Sequence, residues 1–394
     1  MKLRPEGPVV IAAGGTGGHL FPGQALAQEL RRRGRKIVLI TDERVQRFDT
    51  LFPGADIFSV PSATPNDRGV AGLVKAAPAI LSGIAQAFGI LGRVQPSAVI
   101  GFGGYPTLPP MAAAILRRIP TCVHEQNAVL GRVNRLVAPY VHAIASTFAE
   151  PKFLRERDAS KIAVTGNPVR DAVMAHAAAP YVAPGAGGRI NLLVFGGSQG
   201  ARVMSDVVPG ALARLPETLR SRLDVVQQAR PEDIARVRAL YKSAGINAEL
   251  ESFFDDMPAR IAAAHLVIGR SGASTVAELT VIGRPSILVP LPHSLDNDQK
   301  ANAEKLQAAG AGLMIEQKNF SEEALSARLV ALLADAATLA NAAKAALAQG
   351  APHAVRRLAD LVEALGRGEF QEAAGQVVDG SGPSGPLLFA QGGC

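Results

Sequence analysis

The residues that could do chemistry in this sequence cluster in three glycine-dense segments and in one run that ends in a carboxylate. Gly14-Gly15-Thr16-Gly17-Gly18-His19 follows the apolar run Val9 to Ala13 and leads toward Pro22, where a helix is expected to begin. Backbone N–H groups at such a strand-to-helix turn point at an incoming group, and anions and diphosphates fit there. Glycine lets a ligand approach the backbone closely, at an entropic cost that an ordinary turn has no reason to carry. A second loop, Gly101-Phe102-Gly103-Gly104-Tyr105-Pro106, and a third, Gly196-Gly197-Ser198-Gln199-Gly200, also follow strand-like runs. Ser271-Gly272-Ala273-Ser274-Thr275-Val276-Ala277-Glu278 passes from a strand into a helix, with a carboxylate whose two oxygens can accept from a ribose diol. Asp296-Asn297-Asp298-Gln299 opens a further helix, and Asp296 reads there as a cap.

None of the three loops spells G-x-G-x-x-G, and no G-x-x-x-x-G-K-[ST] occurs, which weakens the dinucleotide oxidoreductase and P-loop readings. The third loop does spell G-x-S-x-G. An α/β-hydrolase with Ser198 as nucleophile is therefore the rival from another reaction class, although no HGGG-like oxyanion segment precedes it.

The elements that must position these residues follow from apolar periodicity. Val9 to Ala13, Lys36 to Thr41, Ala98 to Ile100, Thr121 to Val123, Ala143 to Ser146 and Lys161 to Thr165 read as strands alternating with helical segments. The alternation restarts after the Pro/Gly/Ala-rich stretch 177–188, with Ile190 to Phe195, Asp224 to Val226, Leu266 to Ile268, Ser286 to Val289 and Leu313 to Ile315. The fold class expected is α/β, two doubly wound Rossmann-like domains facing a cleft, one over 1–167 and one over 168–366, with the last helix free to return to the first. Residues from 367 onward, rich in Gly, Ser and Pro, read as a disordered tail. A chain of 394 residues suits two domains and not one core.

The two cysteines, Cys122 and Cys394, form no metal or disulfide pattern, and His142, His176, His265, His293 and His353 lack ligand spacing. The first residues carry no export signal, so the expectation is a protein that stays inside the cell. A net charge of +7 admits a nucleic-acid partner, but the basic residues are scattered and no nucleic-acid motif appears. Anionic lipid or phosphorylated small molecules account for the charge, and no nucleic acid is expected.

Taken together, GGTGGH at 14–19, GFGGYP at 101–106, HEQN at 124–127, TGNPVR at 165–170, GGSQG at 196–200, SGASTVAE at 271–278 and the D-x-x-Q of Asp296 and Gln299 resemble the MurG family of GT-B glycosyltransferases. The resemblance runs from about residue 8 to 365 with the motifs in order. It implies inverting transfer of N-acetylglucosamine from UDP-N-acetylglucosamine to the C4 hydroxyl of undecaprenyl-diphosphate-linked N-acetylmuramyl-pentapeptide in peptidoglycan synthesis. It also implies that Thr16, Gly17, Gly18, Asn127, Arg170, Ser198, Phe253, Met257, Ser274, Thr275, Glu278 and Gln299 serve the donor. By the same resemblance Gly14, Gly15, Gly103, Gly104 and Tyr105 serve the acceptor diphosphate, with His19 as candidate base and Glu125 as second candidate. Arg170 and helix N-terminal amides would meet the charge on departing UDP, so no cofactor is expected and a divalent metal is not strictly required. A UDP-N-acetylglucosamine 2-epimerase, a transferase with another lipid acceptor and a UDP-binding regulator stay open at this point.

Apolar residues at 70, 73, 74, 77, 80, 81, 84, 88 and 91 follow helical spacing, interrupted by Lys75, Pro78, Ser82 and Gln86. The interruptions argue against a span, and leave a buried core helix and a membrane-surface helix as equal readings. Arg117, Arg118 and Arg135 could draw that surface to anionic lipid, and the lipid acceptor implied by the resemblance favours peripheral attachment at the cytoplasmic face of the inner membrane.

Overall fold

The computed structural model describes residues 4–14, 17–42, 51–63, 70–197 and 200–369, with 70–74 in backbone only. Two wholly parallel sheets organise them. The first holds β1 (Val9–Ala12), β2 (Ile37–Thr41), β3 (Asp56–Ser59), β4 (Ala98–Gly101), β5 (Thr121–Glu125), β6 (Ala143–Ser146) and β7 (Ile162–Val164), in the order β3-β2-β1-β4-β5-β6-β7. The second holds β8 (Ile190–Phe195), β9 (Leu223–Gln228), β10 (Asn247–Glu251), β11 (Leu266–Gly269), β12 (Ser286–Leu288) and β13 (Gly312–Met314), in the order β10-β9-β8-β11-β12-β13. Strand order reverses beside β1 in one sheet and beside β8 in the other, and crevices at such switch points are where doubly wound folds bind ligands.

Helices cover both faces because the central strands are apolar on both sides. In β1, Val9 and Ile11 enter one core while Val10 enters the other, the period-two alternation of a strand. The first domain's helices are α1 (Gly17–Arg32), α2 (Val70–Val94), α3 (Leu108–Leu116) and α4 (Arg132–Val137). After the short α5 (Asp171–Met174), the second domain adds α6 (Arg202–Ala213), α7 (Glu217–Arg220), α8 (Pro231–Ser243), α9 (Met257–Ala263), α10 (Ala273–Ile282), α11 (Asp298–Ala308), α12 (Glu322–Ala334) and α13 (Ala336–Ala348). The final helix, α14 (Ala354–Arg367), goes back to the first domain: Leu358, Leu361, Val362 and Leu365 join the core of Val9, Ile11, Leu26 and Leu30. Each such buried side chain contributes about 1.5–3 kcal/mol. Arg33, in the turn just after α1, adds bonds to Asp360 (2.6 Å) and Glu363 (2.9 Å) across the same seam.

In the number, extent and burial of its elements the structure departs from the sequence reading in four places. Two strands, β3 and β10, were not expected. Helix α1 starts at Gly17 and carries Pro22 inside it, so Gly17, Gly18 and His19 form its first turn. The last helix runs through Arg367 and ends on Gly368 in the left-handed conformation, past the point where the tail was expected to begin; residues 370–394 lie outside the described residues. Helix α2 is neither a wholly buried core helix nor detached from the core. Ala76, Gly83, Ala87, Ile90 and Leu91 face inward, while Leu81 is 65% exposed and Phe88 40%. Its stretch Lys75–Val94 has a mean hydropathy of 1.3, long and apolar enough to cross a bilayer by length and composition. The helix is nonetheless the crossover between β3 and β4, with its inner face in the domain core.

Candidate active site

The cleft between the domains has a volume of about 810 Å³. The first domain lines it with Gly17, Gly18 and Phe21 at the start of α1, and the second with the turn after β8 and the segments after β10 and β11. The structure brings Gly17, Gly18, Arg170, Phe253, Met257, Ser274, Thr275, Glu278 and Gln299 to this one cavity. Gly15, Thr16 and Ser198 lie outside the described residues.

Helix α10 aims its N-terminus into the cleft. Its N-cap, Gly272, has extended dihedrals and no side-chain cap, and no acidic residue occupies the first turn, so the amides and the positive end of the dipole face the cavity. The Ser274 hydroxyl oxygen is buried there with no protein partner among the described residues, and so is Arg170 Nε. Arg170 Nη2 stands 3.4 Å from Glu278 Oε1, and its guanidinium lies over the Phe21 ring at 4.3 Å. Glu278 is buried, which pushes its carboxyl above the ordinary range against the pull of Arg170. Phe253 leaves its ring 62% exposed at the cavity wall beside Met257, the first residue of α9. Gln299 accepts at its side-chain oxygen from the Leu291 N–H at 3.0 Å.

On the first-domain side the two glycine loops meet around His19. Gly103 and Gly104 have φ of 86° and 76°, where side chains are strained. A Cβ on Gly103 would lie 3.5 Å from His19 Nε2, and one on Gly104 would lie 3.4 Å from Cε1, so the loop gives the ring its seat. Gly14 lies against Pro106 of the second loop, and Tyr105 opens a short 3₁₀ turn before α3. Removal from water draws the His19 imidazole down to about 4, which keeps it neutral at pH 7.

Glu125, at the end of β5, is placed differently from His19. Its Oε2 accepts from the Gly131 N–H (2.7 Å) and Asn134 Nδ2 (2.9 Å), and its Oε1 from the Asn127 N–H (3.0 Å) and Asn127 Nδ2 (3.4 Å). Both oxygens are thus engaged in holding the turn that carries Asn127. Asn127 reaches across the cleft, where its Oδ1 accepts from Asn302 Nδ2 on α11 at 2.9 Å. Asn302 in turn accepts from the Ala128 N–H at 2.8 Å and donates to the Ser271 carbonyl at 3.1 Å.

Asp296 does not cap α11 as expected. Asn297 is the N-cap and makes no side-chain cap bond, while Asp296 pairs with Arg135 and, at 3.5 Å, with Arg132 on α4 of the other domain. The turn that presents it holds His293, Asp296 and Asn297 at positive φ, a conformation the cross-domain pairs help to maintain. Phe21 and Asn302, both outside the quoted motifs, are site residues that sequence reasoning missed. A phenylalanine in the first turns of a helix and an asparagine inside one carry no local signal of a distant partner.

Two doubly wound domains facing across a cleft, with glycine turns at both switch points and buried unpartnered donors between them, make the GT-B fold with an anion-binding site between its halves. The chain belongs to glycosyltransferase family 28: the family's N-terminal domain matches residues 9–146 and its C-terminal domain residues 191–358. It is similar to the UDP-N-acetylglucosamine–N-acetylmuramyl-(pentapeptide) pyrophosphoryl-undecaprenol N-acetylglucosamine transferase of Methylobacterium sp. (strain 4-46), at 54% identity over 355 residues, 90% of this chain and 95% of that protein. The protein of the same name from Rhodopseudomonas palustris is 52% identical over 354 residues, again 90% of this chain and 97% of the relative. Among solved structures, MurG of Acinetobacter baumannii superposes with a TM-score of 0.73 at 27% identity, covering 90% of this chain and 99% of that one.

Proposed function

We propose that the cleft transfers N-acetylglucosamine from UDP-N-acetylglucosamine to lipid-linked N-acetylmuramyl-pentapeptide, turning lipid I into lipid II in peptidoglycan synthesis. The observation that carries this is the match, over 90% of the chain at 54% identity, to a relative named for that reaction. The cavity supports it, with donors suited to a nucleoside diphosphate on one wall and Gly17, Gly18 and Phe21, from the helix that carries His19, on the other.

In this reading, which divides the chain at about residue 167 and counts α14 with the first domain, the second domain holds the donor. Glu278 accepts from the ribose diol, exposed Phe253 and Met257 flank the uracil, and Ser274, Thr275 and Arg170 take the diphosphate together with Gly17, Gly18 and the residues 16 and 198 of the glycine turns. Gln299 and Asn127 face the sugar. The first two glycine loops, through Gly14, Gly15, Gly103, Gly104 and Tyr105, hold the acceptor diphosphate. The C4 hydroxyl oxygen of the acceptor attacks the anomeric carbon from the face opposite UDP, and a neutral ring nitrogen of His19 takes its proton. The bond from the anomeric carbon to the β-phosphate oxygen breaks, and its electron pair leaves with UDP, giving inversion. Arg170 and the α10 amides meet the charge on that leaving group, so the step draws on the protein's own cations. Glu125 acts as a positioning residue, because its oxygens are already occupied by the turn it holds.

The exposed face of α2, with Leu81 and Phe88, adjoins α3, where Leu116 is exposed and Arg117 follows. We read this surface as the peripheral attachment to anionic lipid at the cytoplasmic face of the inner membrane, where the acceptor is displayed.

The test is incubation with radiolabelled UDP-N-acetylglucosamine and an undecaprenyl-diphosphate-linked muramyl-pentapeptide analogue. Acceptor-dependent label in the lipid fraction is expected. Label that stays water-soluble, whether epimerised or unchanged, would overturn the reading.

A further inference from the structure

The cations that line the cleft differ in whether the protein already uses them. Arg170 faces Glu278 at 3.4 Å, so that pair brings no net charge. Arg270 is buried and donates to the carbonyls of Val289 and Pro290 (3.0 Å each) and to Gln317 Oε1 (2.7 Å). Arg202 stands 4.0 Å from Asp206 at the solvent edge. Arg230 lines the same cavity and is half-buried; its carbonyl accepts the Asp233 N–H at 2.8 Å, but its guanidinium has no hydrogen-bond or ion-pair partner among the described residues. A half-buried guanidinium carries five donors and loses part of its hydration, so leaving it unpartnered costs stability unless a ligand completes it.

Its position says which ligand group. Arg230 lies between β9 and α8, and β9 neighbours β8, whose carboxyl end carries the Gly196–Gly200 turn. Gly200, at φ 66°, lies against the arginine stem: a Cβ there would come within 3.2 Å of Arg230 Cγ. On the other flank of β8, β11 leads into α10, which presents the unpartnered Ser274 hydroxyl, with Arg170 Nε also unpartnered close by in the cavity wall. An anion lying over the β8 turn therefore meets donors from α10 and Arg170 on one side and an uncompensated guanidinium on the other.

We propose that Arg230 binds the diphosphate of the nucleotide-sugar donor, closing on it opposite the α10 N-terminus and supplying the positive charge that the Arg170–Glu278 pair does not. This rests on the donor-site reading above. Guanidinium suits the role because its planar fork pairs two phosphate oxygens at once.

The test compares binding of UDP and of uridine, measured by calorimetry or competition, to the wild-type protein and to Arg230→Gln and Arg230→Lys, with thermal midpoints recorded for each. Loss of a charge-assisted contact should weaken UDP binding roughly tenfold to a hundredfold in Arg230→Gln. Uridine binding should be unchanged, and Arg230→Lys should recover part of the loss. In turnover the effect should appear as a raised KM for the donor with kcat little altered. Equal weakening of uridine and UDP, or no weakening of either, would overturn the assignment of Arg230 while leaving the donor site standing. Failure of the wild-type protein to bind UDP would overturn the donor site itself, and Arg230's role with it. Should Arg230→Gln fail to fold, Arg230→Lys carries the comparison, and an unchanged UDP-to-uridine ratio there sinks the proposal.

Discussion

Replacing Glu125 by Gln separates two roles that the same carboxylate could play. As a positioning residue, Glu125 offers four acceptor sites to four donors: Gly131 N–H and Asn134 Nδ2 on one oxygen, and the two Asn127 nitrogens on the other. Glutamine keeps one oxygen, which best serves Gly131 and Asn134 at 2.7 and 2.9 Å, and must then turn its NH₂ toward the Asn127 N–H, donor against donor. Asn127 cannot answer by rotating its own amide, because its Oδ1 is already held by Asn302. At least one hydrogen bond to a charged group is lost, at about 1.5–3 kcal/mol, and two others weaken from charged to neutral. Relief of the burial that raises the Glu125 carboxyl offsets part of this. The balance is a destabilisation of about 2–4 kcal/mol, a fall in Tm of roughly 5–12 °C for a domain of this size. Turnover should fall only modestly, through displacement of Asn127. The assays are calorimetric unfolding and steady-state transfer. A variant with unchanged Tm and turnover reduced a thousandfold would refute the positioning role and make Glu125 the group that moves the proton.

Glu278→Gln should raise the donor KM roughly tenfold and, in binding, remove the preference for UDP over 2′-deoxy-UDP; retention of that preference would separate Glu278 from the ribose. His19→Ala should lower kcat by roughly 10²–10⁴ with UDP affinity unchanged. Because burial draws the ring of the ligand-free protein down to about 4, the acid limb of the wild-type kcat/KM profile should fall near pH 4, and a limb near 6.5 would contradict the burial argument. His124 is fully buried, donates from Nε2 to the Gly166 carbonyl (3.0 Å), accepts at Nδ1 from Gln126 (3.1 Å), and titrates at about 4. Between pH 6.5 and 4 the unfolded chain binds a proton there that the folded chain does not, so stability is full above 6.5 and declines as pH falls through the window. The loss reaches about 2 kcal/mol by pH 5 for this group alone. Urea unfolding at pH 7 and pH 5 should show it, and His124→Asn should narrow the difference between the two.

What was legible in the sequence was what local chemistry compels. Central strands such as Val9–Ala12 and Ile190–Phe195 are apolar on both faces, because helices cover both, and a run of that kind has few other readings. The strands that escaped, Asp56–Ser59 and Asn247–Glu251, lie at sheet edges, where partial exposure admits Asp, Asn and Glu and erases the pattern. Pro22 suggested the start of α1 because proline suits a first turn, yet the helix runs back to Gly17 and brings His19 into its own N-terminal turn. The glycine loops could be read because approach to backbone needs glycine whatever the neighbours are. Their partners could not: Asp296 finds Arg135 at 161 residues' separation and Asn302 finds Asn127 at 175.

The illegible contacts have a common location, and it bears on how the cleft works. Asn127–Asn302, Asp296 with Arg132 and Arg135, and Phe21 with Arg170 all join the first domain to the second. Asn127 belongs to the turn held by Glu125, Arg170 faces the donor site, and Asp296 sits two residues before Asp298 and three before Gln299. Each of these three contacts therefore ends on a segment that also lines or supports the cavity. Bringing a donor on one sheet to an acceptor on the other requires those segments in register, so the same bonds that set the distance between the domains also set the geometry of the reacting groups. A change at Asn302, which touches neither substrate in this reading, should therefore lower kcat more than it raises the donor KM. An effect confined to KM would mean that the clasp serves binding alone.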